Sequence, residues 1–177
     1  KDPLYQQIQF LSEDFYKLLN EMLRQKVFNY TEADKIFSHI MALIEKVDWG
    51  EENDMSKYGG MLANFRISLG HGKRYGLVAI ETIEQLAMRN PASEYLSHSL
   101  QDSISLSLLS SYAPDEEQPT LMEKAYLAQK LLNYYESRAD LIPAISVYSD
   151  VKSILQLAAP DILQKLDELS RIRKNYQ

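Results

Sequence analysis

The chain contains no cysteine, which excludes disulfides, thiolate metal sites and cysteine nucleophiles but assigns no compartment. Glycine and proline are scarce, six of each in 177 residues, so long turn-rich β architectures are not expected. Positive charge is also short: 19 lysines and arginines face 25 aspartates and glutamates, for a formal net charge of −6. A general nucleic-acid binder needs surplus cations to displace counterions, so nucleic acid is not an expected partner. No apolar run approaches the roughly 20 residues that span a bilayer, and no signal-peptide pattern opens the chain. Because Lys1-Asp2-Pro3 leads straight into a helical pattern without an initiator methionine, the sequence reads as a trimmed piece, cytoplasmic or secreted.

What is present is helical periodicity. Asp2 and Pro3 suit an N-cap and first helical position. Leu4, Ile8, Leu11, Phe15, Leu18 and Met22 then alternate steps of four and three. Such a heptad seam serves either a core or pairing between chains in a homo-oligomer. Thr31 and Asp34 approximate a capping box ahead of Ile36, Phe37, Ile40, Ile44 and Val47, with His39 beside that face. Asp48, Trp49, Glu51, Glu52 and Asp54 form a short acidic connector. Its glycine is misplaced for an EF-hand and no glutamate closes a twelve-residue loop, so no metal is expected.

Leu77, Ile80, Ile83, Leu86 and Ala87 form a stripe widened by Val78 and Ala79, and Asn90-Pro91 stops it. This breadth places the 77–87 segment near the middle of the domain. The 103–108 segment alternates serine with isoleucine and leucine as a strand would. Leu96, Leu100, Ile104, Leu108 and Tyr112 nevertheless recur every four residues, which favours a helix over 92–112. Residues 113–118 form an acidic loop and a candidate boundary between two subassemblies. Beyond it come helices opened by Pro119, Pro143 and Pro160. The Pro143 helix would bury Ile145, Tyr148, Val151 and Leu155, and the last would bury Leu163 and Leu166. Length and pattern together predict one all-α domain over 1–177, a bundle of seven or eight helices.

Two constellations bear on chemistry. Gly70-His71-Gly72-Lys73-Arg74, with Arg66 nearby, combines glycines, cations and a helix start, which is what an anion or phosphate requires. It has neither the order of a Walker loop nor that of a dinucleotide fingerprint. The second is His98 within Ser97-His98-Ser99-Leu100-Gln101-Asp102-Ser103. This segment resembles the phosphoacceptor helix of histidine phosphotransfer domains, and the resemblance implies His98 as the phosphoacceptor. In that family a lysine and then a glycine usually stand where Gln101 and Asp102 stand here. The cation that would steady a phosphoryl group and the small residue that would admit a response regulator are thus missing from the helix.

The three histidines lie in separate segments, and no nucleophile, base and orienter can be assembled. No cofactor is implied, and enzymatic activity is not the favoured reading. The leading expectation is a non-enzymatic protein-interaction module, an adaptor, scaffold or effector fragment that uses tyrosine-bearing and charged helix faces. The alternative is a ligand-binding or phosphoryl-handling domain with its anion site at the 70–74 turn.

Overall fold

Amphipathic stripes that are too short or too broad to stand alone in water must find one another. In a computed structural model, which describes residues 3–50, 55–137 and 150–174 with side chains through residue 171, they do so as nine α-helices among the described residues. They are α1 (Pro3–Gln25), α2 (Thr31–Ile44), α3 (Met55–Tyr58), α4 (Ala63–Ser68), α5 (Lys73–Arg89), α6 (Glu94–Leu109), α7 (Leu121–Ser137), α8 (Lys152–Ala158) and α9 (Pro160–Lys174). The protein is all-α, a helical bundle in which α3 is a single turn. No strand occurs among the described residues, and the 103–108 alternation is helical. The expectations for Asp2, Glu51, Glu52, Asp54, Pro143, Ile145 and Tyr148 fall outside the described residues.

The seam of α1 is filled by the chain itself: Ile8, Phe15 and Met22 are buried, and Leu4, Leu11 and Leu18 are half-buried against the same core. α1 packs on α2 and α4. Phe15 meets Tyr75 edge-on with centroids 5.0 Å apart, and Phe37 lies 4.8 Å from Tyr75 and 5.9 Å from Phe65. These rings tie α1, α2, α4 and α5 into one aromatic core, where each well-oriented pair adds about 0.5–1.5 kcal/mol beyond area burial.

The central helix is α6, not the 77–87 stripe that its breadth recommended. Eleven of the sixteen residues of α6 are buried, against six of seventeen in α5, where Val78, Glu81, Gln85 and Met88 face outward. α6 touches α3, α4, α5, α7 and the 3-10 turn Leu69–His71. Its serines permit this: a Cβ on Gly76 of α5 would stand 2.5 Å from the Ser107 hydroxyl, so the two backbones approach through glycine and serine.

Two further local expectations are corrected. Trp49 is not part of a solvated connector but is 2 % exposed, donating from Nε1 to the Ile44 carbonyl at 2.8 Å and packing 4.9 Å from Tyr58 and 5.9 Å from Tyr95. Asp34 does not complete a capping box with Thr31, since α2 has no side-chain cap and Asp34 is engaged elsewhere. A reciprocal box does open α7: the Glu123 N–H donates to Thr120 Oγ1 at 3.1 Å, and the Thr120 N–H donates to Glu123 Oε1 at 3.0 Å. The 113–118 connection is tied back, with Gln118 Nε2 donating to the carbonyls of Ala113 and Ser110 at 2.9 and 3.3 Å.

Candidate functional site

The chain enters α5 through Gly72, at φ 140° and ψ 172°, a region closed to side chains of ordinary handedness. A helix start leaves unpaired N–H groups and a partial positive charge. Here the chain supplies its own anion: the Arg74 N–H donates to Glu117 Oε2 at 3.2 Å. Glu117 belongs to the short 3-10 turn Asp115–Glu117, which runs so close that a Cβ on Gly72 would stand 2.6 Å from Glu117 Cβ.

The two cations of the turn leave it in opposite directions. Lys73 reaches α7, where Nζ donates to Glu123 Oε1 at 3.3 Å. The Thr120 N–H and then Lys73 hold the Glu123 carboxyl below its ordinary range. Arg74 reaches α2 and forks onto Asp34, with Nε to Oδ1 at 3.0 Å and Nη2 to Oδ2 at 2.7 Å, while the Tyr75 hydroxyl donates to Oδ1 at 2.7 Å. Hydrogen bonding from Arg74, then from Tyr75, depresses Asp34. Burial first, then the Asp34 hydrogen bond, pushes the Tyr75 phenol up. Bidentate pairing of this kind fixes geometry as well as charge.

His71 and Arg66 go elsewhere. His71 is buried against Tyr112, with ring centroids 5.5 Å apart and no hydrogen-bond partner on Nε2, and burial lowers its basicity. Gly70 packs beside Tyr112 and accepts from the Tyr112 N–H at 3.2 Å. Arg66 is buried on α4. Its Nη1 donates to Ser99 Oγ at 3.1 Å, its Nε stands 3.5 Å from Asp102 Oδ2, and its guanidinium lies 5.7 Å from the Tyr95 ring centroid. His98 is exposed on α6 one turn before Asp102. Partial desolvation and then the Arg66 charge lower its basicity against the opposing pull of Asp102. Arg66 itself is committed to Ser99 and Asp102. Among the described residues no group of histidines and carboxylates could hold a metal ion, and no helix is long and apolar enough to cross a membrane.

Residues that local pattern did not single out surround Arg74. Its guanidinium lies 4.6 Å from the Tyr30 ring centroid, and Phe28 stacks on the same tyrosine at 6.5 Å. Burial and then the Glu117 charge raise the Tyr30 phenol, which sets the acidic 3-10 turn close to the aromatic pair. Val27 is 60 % exposed, Phe28 38 %, and the Arg74 side chain 41 %. The loop between α1 and α2 thus presents aliphatic and aromatic groups at the surface, and α5 adds the Arg74 guanidinium beside them. The signal available in the sequence was the run Val27-Phe28-Asn29-Tyr30, apolar where a helix connection is usually polar. Comparison with protein-family models, curated proteins and solved structures finds no match to this chain.

Proposed function

We propose that the protein is a non-enzymatic interaction module that docks a protein partner on the face formed by Val27, Phe28, Tyr30 and Arg74. The observation that carries this reading is the stack of exposed Phe28 on half-buried Tyr30, whose ring also lies against the Arg74 guanidinium, beside an exposed Val27. Tyrosine, phenylalanine and arginine are enriched at interfaces, and the aromatic rings bury much area with few rotors to freeze. Arg74 is held in place by its fork onto Asp34, so little of its freedom remains to be lost on docking. The anion-site alternative draws on the same turn, but Glu117, Glu123 and Asp34 already satisfy the helix start, Lys73 and Arg74.

A photoreactive phenylalanine derivative at position 27 tests the proposal, with the same group at Leu157, exposed on α8, as the control. Irradiation in an extract of the source cells should give a discrete protein adduct from position 27 that is absent from position 157 and is lost with Phe28→Asp. Adducts that are equal at both positions would refute it. A thermal panel of phosphate, nucleotides and carboxylates separates the rival: a ligand at about 100 times its dissociation constant adds roughly 2.7 kcal/mol to a folded state it alone recognises. The interaction reading predicts no such shift. A shift lost in Lys73→Ala/Arg74→Ala would favour the anion site instead.

A further inference from the structure

A cleft of about 460 Å³ opens between α5, α6 and α7, away from the aromatic face. Its described lining includes Ala87 and Met88 from α5, Leu100 from the α6 floor and Tyr134 from α7, with Glu84 and Lys130 facing each other at the wall. That volume falls in the range of small-molecule sites, which combine apolar walls with a few placed polar groups. Met88 is 76 % exposed, an unbranched and adaptable side chain beside the opening.

The polar wall restricts what fits. Lys130 Nζ donates to Glu84 Oε1 at 2.7 Å, and their side chains are only 11 % and 26 % exposed. The ammonium also lies 4.8 Å from the Tyr126 ring, whose hydroxyl donates to Glu81 at 2.6 Å. The pair is therefore neutral as a unit and largely removed from water. Among the described lining residues no other charged group is left to meet a ligand's formal charge, and burying that charge unpaired costs several kcal/mol. An ammonium has three N–H groups; Glu84 takes one and the Tyr126 hydroxyl oxygen engages a second, so the third can receive a neutral acceptor such as a hydroxyl, carbonyl or amide oxygen without breaking the pair.

We infer that this cleft is a binding site for a small neutral amphiphile, a molecule with a hydrocarbon portion against Leu100, Ala87 and Tyr134 and one uncharged oxygen acceptor toward Lys130. This site is independent of the docking face and of the 70–74 turn, so each can fail without the other.

The probes are 1-octanol, octanoate and octylammonium at equal concentrations, read by methyl NMR of Ala87, Met88 and Leu100 in the full chain. The expected result is saturable shifts at these methyls with 1-octanol, and binding at least ten-fold weaker for both charged probes. Leu100→Trp, which fills the floor, should abolish the effect. If that variant does not fold, Ala87→Leu fills the same space from the half-buried side of α5. Absence of saturable shifts with 1-octanol would overturn the site, as would shifts that persist in a folded, filled variant. Tighter binding of octanoate or octylammonium would overturn the ligand class.

Discussion

Gly72→Ala puts the entry to α5 under direct test. The backbone at φ 140° and ψ 172° is open essentially to glycine alone, and holding another residue there costs about 1–3 kcal/mol. The new Cβ would also stand 2.6 Å from Glu117 Cβ and 3.1 Å from the Glu117 carbonyl oxygen, an overpacking that costs roughly 1–3 kcal/mol more. Against this, alanine restricts the unfolded chain and returns about 0.4–1 kcal/mol. The net expectation is a loss of about 3 kcal/mol, or a fall in Tm of roughly 6–12 °C for a domain of this size. Urea denaturation with circular dichroism measures it. Glu117→Gly removes the Cβ and Cγ contacts but leaves the backbone strain, so Gly72→Ala should cost about 1–2 kcal/mol less in that background. A wild-type stability for Gly72→Ala, within about 0.5 kcal/mol, would refute the close approach of the 3-10 turn to the start of α5.

Trp49→Ala should cost about 3–5 kcal/mol, because it empties a site enclosed by Tyr58 and Tyr95; the same urea titration reads it. Thr120→Ala removes the hydroxyl that caps α7 and should cost about 1 kcal/mol, measured as a shift in the urea midpoint at unchanged slope. Burial depresses His71 below its ordinary value, so the unfolded chain takes up the proton first and stability falls as pH drops from about 6.5 through the folded value. His98 is shifted in the same direction, so stability measured from pH 7 to 5 should slope less steeply in His71→Phe than in wild type, and an unchanged slope would contradict the assignment.

The helices were legible where burial follows a stripe. α1, α2 and α9 carry apolar residues at steps of three and four, and the structure turns those faces inward; on α7 it buries Ala128, Leu132 and Tyr135 but leaves Leu121 exposed. The rank of α6 was hidden because Ser99, Ser103, Ser105 and Ser107 read as polar while their small size lets a helix sit among five neighbouring elements. The 70–74 turn was visible as a gathering of cations, yet its geometry is set by Asp34, Glu117 and Glu123, some 40 to 50 positions away in the chain. No local pattern carries information over that distance. The capping reading of Asp34 failed for the same reason: a bidentate arginine from α5 outcompetes a local N–H. Trp49 was misplaced because acidic neighbours dominated its segment while its own indole found the Ile44 carbonyl and two tyrosines.

The most direct test of the interaction reading is the affinity of the protein captured from position 27 for wild type and for Phe28→Ala, by titration calorimetry. Phe28 is 38 % exposed, so its truncation leaves the fold nearly intact and reports on the partner. An anchor side chain at an interface is worth about 2 kcal/mol or more, which is a loss of roughly 30-fold or greater in affinity. That loss is the predicted result. Equal affinity for the two proteins, with both folded, would contradict the assignment of this face as the docking surface.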